Sequence, residues 1–335
     1  MNCIIDKLSL CYRIENIKPL ADYLLNNDDE AIKEIVFDGG SFSMYLSKSK
    51  GFKSAYSITY YDLDEKKGIN SDGKYEMKKY IFGTLKFGQL DDDETLKAIS
   101  LDDKKVWIDI ENSSFYFRSN SQTNKLVYLD YITDELGLRF NNVTHIDIAI
   151  DSDKFNFAKI VKSLLRCNEL TPIVVNKTYE DKNELIPHVL FIYATSCTKL
   201  LSDFSIYIQQ KGNDSITAKC YNKRYEIENK SEKDYISEYY DYPKKLNRFE
   251  IRLHRKQFQK YIETKKVEFD TALFWDESND FLFDMFIHYI YVLIRFRKSK
   301  YDKNPMNVFE ALEWLEKRKK EIRTQKRKEK LKKSL

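Results

Sequence analysis

Three stretches in the middle of the chain alternate apolar and polar positions with the two-residue period of a half-buried strand. In THIDIAIDSD (144–153), Ile146, Ile148 and Ile150 face one way, and His145, Asp147, Ala149 and Asp151 face the other. In SITAKCYNK (215–223), Ile216, Ala218 and Cys220 share the apolar face, while Thr217, Lys219 and Tyr221 share the opposite one. In NRFEIRLHR (247–255), Phe249, Ile251 and Leu253 alternate with Arg248, Glu250 and Arg252. FSIYIQQ (204–210) alternates as well, and KGND (211–214) after it has turn composition. Between the first strand and these lies KFNFAKIVKSLLRCNEL, where Phe157, Ile160, Val161, Leu164 and Leu165 recur at helical spacing.

The order is therefore β–α–β–β–α–β, with a polar, tyrosine-rich helix or loop at about 224–242. It predicts an α+β fold: an antiparallel sheet with a ferredoxin-like (split βαβ) core and helices on one face. The polar faces are then left together, open to a ligand. Upstream, SAYSITYYDL, KYIFGTLKFG and KVWIDIENSSFYF are rich in β-branched and aromatic residues and read as strands; no chemical constellation stands out among them. Downstream, DESNDFLFDMFIHYIYVLIRFRK and NPMNVFEALEWLEKRKKEIRTQKRKEKLKK read as helices, the first acidic at its start and basic at its end. The chain divides on this basis into a β-rich part (1–135), a core (136–256), a helical region (257–316) and a basic tail (317–335).

Composition narrows the picture in three ways. With 42% hydrophobic residues in 335, the chain can bury a sizeable core. Neither GxxxxGKS/T nor GxGxxG occurs, which removes the common nucleotide-binding loops. The formal charge of +4 is uneven: residues 317–333 carry 11 Lys/Arg and 2 Glu, a net of +9, so the remainder is at −5. A basic arm on a mildly acidic body fits a polyanion partner. A solvated helix end is the plainer explanation. Five cysteines with no CxxC fit a reducing cytoplasm. MNCIIDKLSL lacks the layout of a signal peptide, and MFIHYIYVLI (285–294) is too short to span a bilayer, so no membrane association is expected.

The polar faces bring together chemistry that each strand alone would not indicate. Asp147 and Asp151, then Lys219 and Tyr221, then Arg248, Glu250 and Arg252 would meet on one surface. Carboxylates on neighbouring strands suit Mg²⁺ or Mn²⁺, which prefer oxygen ligands, and a divalent ion would polarise a scissile phosphate. Phenols ionise near pH ~10, so a tyrosine nucleophile needs a cation or metal beside it. Lys219, Lys223 or Arg248 could supply that charge. Taken singly, an aspartate pair on a strand is more often solvent-facing, RFEIRLH more often a charged outer face, and a tyrosine more often packing.

THIDIAID, YIQQKGNDSITAKCYNKRYEIENK and RFEIRLHR, in that order, resemble the replication initiation factor family (Rep_trans type). These are rolling-circle initiators of small plasmids, with related proteins in phages and conjugative elements. The resemblance covers about residues 100–256. It implies that Tyr221, in the Tyr-Asn-Lys stretch completed by Asn222 and Lys223, is the nucleophile that joins DNA through a 5′-phosphotyrosine and frees a 3′-hydroxyl primer. It implies metal ligands at Asp147, Asp151 and Glu250, and an active-site arginine at Arg248. Lys211, Lys219, Arg224 and Arg252 would contact DNA. The family's Gly-Ser-Arg segment is here QQKGNDS (209–215), with Lys211 where the arginine is missing. No His-hydrophobic-His triplet occurs, and His145 is at most a single ligand.

The activity implied is metal-dependent DNA nicking and joining at an origin. The partners implied are DNA, as origin duplex or hairpin and as single strand, with a host helicase, a polymerase and a second copy of the chain as further candidates. A conjugative relaxase is a close variant. Rivals from other classes are a non-catalytic single-stranded nucleic-acid binder and a regulatory protein with a degenerate site. Tyr225, four residues after Tyr221, and the cluster of Tyr239, Tyr240 and Tyr242 offer either a second nucleophile or base-stacking surfaces.

Overall fold

The computed structural model describes residues 3–20, 34–36, 43–48, 55–63, 71, 77–87, 105–116, 129–178, 189–193, 204–210, 216–231, 233–274, 280–299 and 301–332. These form two compact units, one of residues 5–147 with 268–275, the other of 1–4, 148–267 and 276–335.

The first unit is built on antiparallel strands: β1 (Cys3–Ile14), β2 (Glu34–Val36), β3 (Ser43–Lys48), β4 (Ala55–Leu63), β5 (Met77–Phe87) and β6 (Lys105–Ile110). Helix α1 (Leu129–Glu135) and β7 (Leu138–Ser152) follow; β1 and β7 each contribute a stretch to both units. The strand order is β7-β1-β6-β5-β4-β3-β2. Leu8, Leu10 and Tyr12 of β1 lie opposite Ile110, Ile108 and Val106 of β6, and all six are buried. Gly137 joins α1 to β7 with φ +66, and a Cβ there would sit 2.3 Å from the Asn16 carbonyl oxygen. Both the left-handed backbone and the close approach require glycine.

The second unit continues with α2 (Phe157–Leu165), β8 (Thr171–Val174), β9 (Lys177–Thr178), β10 (Val189–Tyr193), β11 (Phe204–Gln210) and β12 (Ile216–Asn222). Next come α3 (Lys223–Glu226), α4 (Asp234–Tyr239), β13 (Asn247–His254), α5 (Arg255–Lys265), α6 (Asp280–Leu293), β14 (Ile294–Arg297) and α7 (Val308–Lys332). Its main strands run in the order β10-β11-β12-β13-β7, and β14-β8-β9 form a small separate sheet. The strands from β10 to β13 pair antiparallel. The α+β class and the antiparallel sheet are those expected from the sequence. In space β13 lies between β12 and β7, so the first strand of the core neighbours the last. Helices α5, α6 and α7 belong to this same unit.

Burial alternates along β12, whereas β7 and β13 are buried on both faces at Asp147, Arg248 and Glu250, so the polar faces expected to lie open are largely covered there. Ile216, Ala218 and Cys220 of β12 are buried with Phe249, Ile251 and Leu253 of β13. Helices α2 and α6 cover that apolar face. Phe249 packs against Phe157 of α2 at 5.8 Å and edge-on to Phe286 of α6 at 5.3 Å between ring centroids. Asn156 caps α2, its Oδ1 accepting from Lys159 N at 2.9 Å.

Two boundaries differ from those the sequence predicts. The helix over 276–298 stops at Leu293, and Ile294–Arg297 becomes β14, paired with β8. Ile294 and Phe296 are fully buried there while Arg295 and Arg297 are less so; pairing with β8 outweighs the helical pattern. The strand over 144–153 begins earlier, at Leu138. Among the described residues no helix is long and apolar enough to cross a membrane.

Candidate active site

The register of β12 against β13 sets the site. Lys219 faces Glu250, Tyr221 faces Arg248 and Thr217 faces Arg252. Glu250 is 4% exposed. Its Oε1 accepts from Lys219 Nζ at 3.2 Å, and its Oε2 accepts from the Tyr221 hydroxyl at 3.0 Å. The second of these is a diagonal cross-strand pair. On the other side of Lys219, Tyr207 of β11 faces it, with the ammonium 6.0 Å from the ring centroid. Tyr207, Lys219 and Glu250 thus form a row across three strands. A buried carboxylate is costly unless its charge and lone pairs are met; here an ammonium and a phenol meet them.

The Tyr-Asn-Lys stretch is a strand-to-helix junction. Asn222 caps α3, its Oδ1 accepting from Tyr225 N at 3.0 Å. Lys223 consequently turns inward and is 2% exposed. Its Nζ lies 2.7 Å from Glu226 Oε2 and 5.8 Å from the centroid of the Tyr221 ring, a cation–π distance. Arg224 is held by Glu228 at 2.6 Å and by the Ser237 hydroxyl at 3.1 Å. Asn222, Lys223 and Arg224, expected at the DNA or the reacting atoms, therefore each have a local structural partner.

Arg248 is 0% exposed and grips Asp151 with two bonds, Nε to Oδ1 at 2.7 Å and a terminal nitrogen to Oδ2 at 2.6 Å. The Tyr240 hydroxyl also bonds Asp151; burial, and then the Asp151 charge, push this phenol well above its ordinary range, so it stays neutral and donates. Asp151 and Arg248, expected at a metal and at the reacting DNA, are partners of each other. Arg252 is half-buried. Asp147 is buried in the other unit, with His145 Nε2 2.8 Å from its Oδ1. Lys211 lies outside the described residues.

Among the described residues no group of three or more His, Cys, Asp or Glu side chains is arranged to hold a metal ion. Asp151 has both oxygens on Arg248, and Glu250 has one on Lys219 and one on Tyr221. As arranged, this donor set does not fit Mg²⁺ or Mn²⁺. What it offers chemically is a carboxylate within hydrogen-bonding distance of a phenolic proton, flanked by two ammonium groups.

Tyr207 and Glu226 do not stand out in the sequence, and Tyr240 does so only as one member of a tyrosine cluster, not as a partner of Asp151. The alternation of FSIYIQQ does put Tyr207 on the polar face, so the hairpin register could have indicated it. Tyr240 comes from a segment with no period, and its bond to Asp151 is wholly tertiary.

No protein-family model matches the chain, and no curated protein matches it. Solved structures similar to it include the following two. A rolling circle replication initiator protein from Geobacillus stearothermophilus aligns at 14% identity over 90% of this chain and 89% of its own, with a TM-score of 0.44. The di-domain ARO/CYC StfQ from the steffimycin biosynthetic pathway aligns at 8% identity over 85% and 96%, with a TM-score of 0.19. At these scores neither likeness bears on function.

Proposed function

We propose that the chain nicks and joins DNA by tyrosine transesterification, as an initiator of rolling-circle replication. The observation that carries this is the Tyr221 hydroxyl held 3.0 Å from the buried Glu250 carboxylate between Lys219 and Lys223. The order of the three motif blocks supports it from the sequence side.

Tyr221 Oη attacks the phosphorus of a backbone phosphodiester. The bond from phosphorus to the 3′-oxygen breaks, and the 5′ end stays linked to Tyr221. Glu250 takes the phenolic proton, and the leaving 3′-oxygen takes one from solvent water to become the primer hydroxyl, Glu250 then releasing its proton to solvent. A base at hydrogen-bonding distance is what this proton transfer needs. Lys219 and Lys223 place positive charge where the phosphate gains negative charge. The basic end of α7 supplies sequence-independent phosphate contacts.

A non-catalytic single-strand binder is the second reading. The observation favouring it is the engagement of Asp151 by Arg248, which removes one of the three expected ligands. Supercoiled DNA from the element that encodes the chain separates the two. It is incubated with protein and Mg²⁺ or Mn²⁺, treated with protease and run on denaturing gels. Nicks blocked at the 5′ end by peptide, and lost in Tyr221→Phe, support the enzyme. Binding with no nicking under any of these conditions supports the binder.

A further inference from the structure

The end of α4 holds two consecutive non-glycine residues in the left-handed region, Asp241 at φ 57 and Tyr242 at φ 51. The first has a plain cause. Tyr242 N donates to Ser237 O at 2.7 Å and Asp241 N to Glu238 O at 3.1 Å, the two bonds of a Schellman cap. That cap requires one left-handed residue, and Asp241 is it. It does not require a second. A bulky side chain in this region is a genuine outlier, and Pro243 after it further disfavours anything but an extended backbone at Tyr242. The residue at this point of a Schellman cap commonly packs back on its own helix. Tyr242 instead stands 63% exposed.

The strained turn is also firmly tied to the Tyr221 site. Tyr240, two residues earlier, donates to Asp151, which holds Arg248, and Arg248 is the register partner of Tyr221. Ser237, whose carbonyl accepts from Tyr242 N, takes a hydrogen bond at its hydroxyl from Arg224 beside the Tyr-Asn-Lys junction. The buried lock of Tyr240, Asp151 and Arg248 holds one end of the turn, and the cap holds the other. Strain kept in place by its surroundings, at an aromatic ring turned to solvent on a turn hydrogen-bonded to the segment that follows the candidate nucleophile, fits a binding role.

We infer that Tyr242 is a stacking platform for an unpaired base of the strand entering the Tyr221 site. Every base has a face that stacks on an aromatic ring, so the platform takes single-stranded nucleic acid with little sequence preference. A duplex has no free base face to offer. The inference rests on the proposed action at a DNA strand and names the form of that strand at the site.

The test measures binding of a fluorescent single-stranded oligonucleotide and its duplex form, by anisotropy, in a Tyr221→Phe background so that no covalent product forms. Tyr242→Ala is expected to weaken single-strand affinity by about fivefold to about 150-fold, the range for removing one stacked base, and to leave duplex affinity unchanged. Tyr242→Phe keeps the ring and keeps parental affinity. Tyr242→Gly tolerates φ 51 without strain, so it should melt at or above the parent temperature and still lose single-strand affinity. Parental single-strand affinity in both Tyr242→Ala and Tyr242→Gly, or an equal loss on duplex, overturns the inference. The proposed function is read separately, from nicking by the chain with Tyr221 intact. Nicking with no effect at Tyr242 would sink the platform alone, and absence of both nicking and single-strand binding would sink both.

Discussion

At Glu250 one buried carboxylate serves two donors, and changing it should separate chemistry from binding. Glu250→Gln retains an acceptor for the Tyr221 hydroxyl but cannot take its proton. Single-turnover nicking should slow by about 10²- to 10⁴-fold, the usual worth of a general base, while oligonucleotide affinity is kept. An unchanged rate would remove Glu250 from the chemistry. At Asp151 the expected loss is of stability. Asp151→Ala removes one partner of a fully buried ion pair, which costs about 3–5 kcal/mol. The double variant Asp151→Ala with Arg248→Met should recover a good part of that, read from urea midpoints. An undiminished midpoint in Asp151→Ala would contradict the pairing. Which carboxylate would find which cation is the part the sequence leaves open. Alternation assigns Asp151, Arg248 and Glu250 to polar faces, but the spatial order β12-β13-β7 decides that Arg248 meets Asp151. Lys223 is subtler: its inward turn follows from Asn222 ending the strand and capping α3, a local event inside a motif that reads as a string of exposed polar residues.

Among the elements, those with a strong period are the legible ones. The strands β7, β12 and β13 and the helix α2 form where their sequence patterns put them because the apolar face of each is buried; on β7 and β13 the polar positions Asp147, Arg248 and Glu250 are buried as well. The join of α6 to β14 is not legible, since IRFR continues an apolar helical run and becomes a strand through pairing with β8, more than a hundred residues away in the chain. Helix α6 also carries a pH prediction. Burial, with Lys265 and Lys260 adding to it, holds His288 below the ordinary imidazole range. The neutral form is thus favoured by folding. This stability is present above the unfolded value of about 6.5 and is lost as pH falls through the lowered folded value. Melting temperature should decline on that acid side, and His288→Phe should flatten the decline; an unaltered slope would contradict it. Helix α7 starts from a reciprocal cap, Asn307 Oδ1 accepting from Glu310 N at 3.0 Å and Glu310 Oε2 accepting from Asn307 N at 2.7 Å. Arg318 ties it to Glu169 at 2.9 Å, and from Lys319 to Gln325 the helix is almost wholly exposed. Removing residues 319–335 should leave nicking of a single-stranded oligonucleotide intact. It should reduce the slope of log affinity for duplex against log salt by about 0.9 for each phosphate that the tail neutralises. An unchanged slope would make this end of α7 a solvated terminus.

Over the whole molecule the charge is divided as the proposed function requires. A tail of net +9 accompanies a body of net −5, so under the proposed function long-range attraction to DNA would come from one end of the chain, while the site holds its own cations, Lys223 buried and Lys219 partly so. Salt would then weaken capture strongly and the transesterification step weakly, because buried charges are screened far less than exposed ones. The central claim is that Tyr221 becomes bonded to DNA. The most direct measurement is mass spectrometry of the protein recovered after reaction with a cleavable oligonucleotide, digested with nuclease and then with protease. The expected result is a single modified peptide spanning Tyr221, carrying a 5′-nucleotide through its phenolic oxygen and absent from Tyr221→Phe. Nicked product with a free 5′ end and no adduct, or an adduct on another tyrosine such as Tyr225, would contradict it.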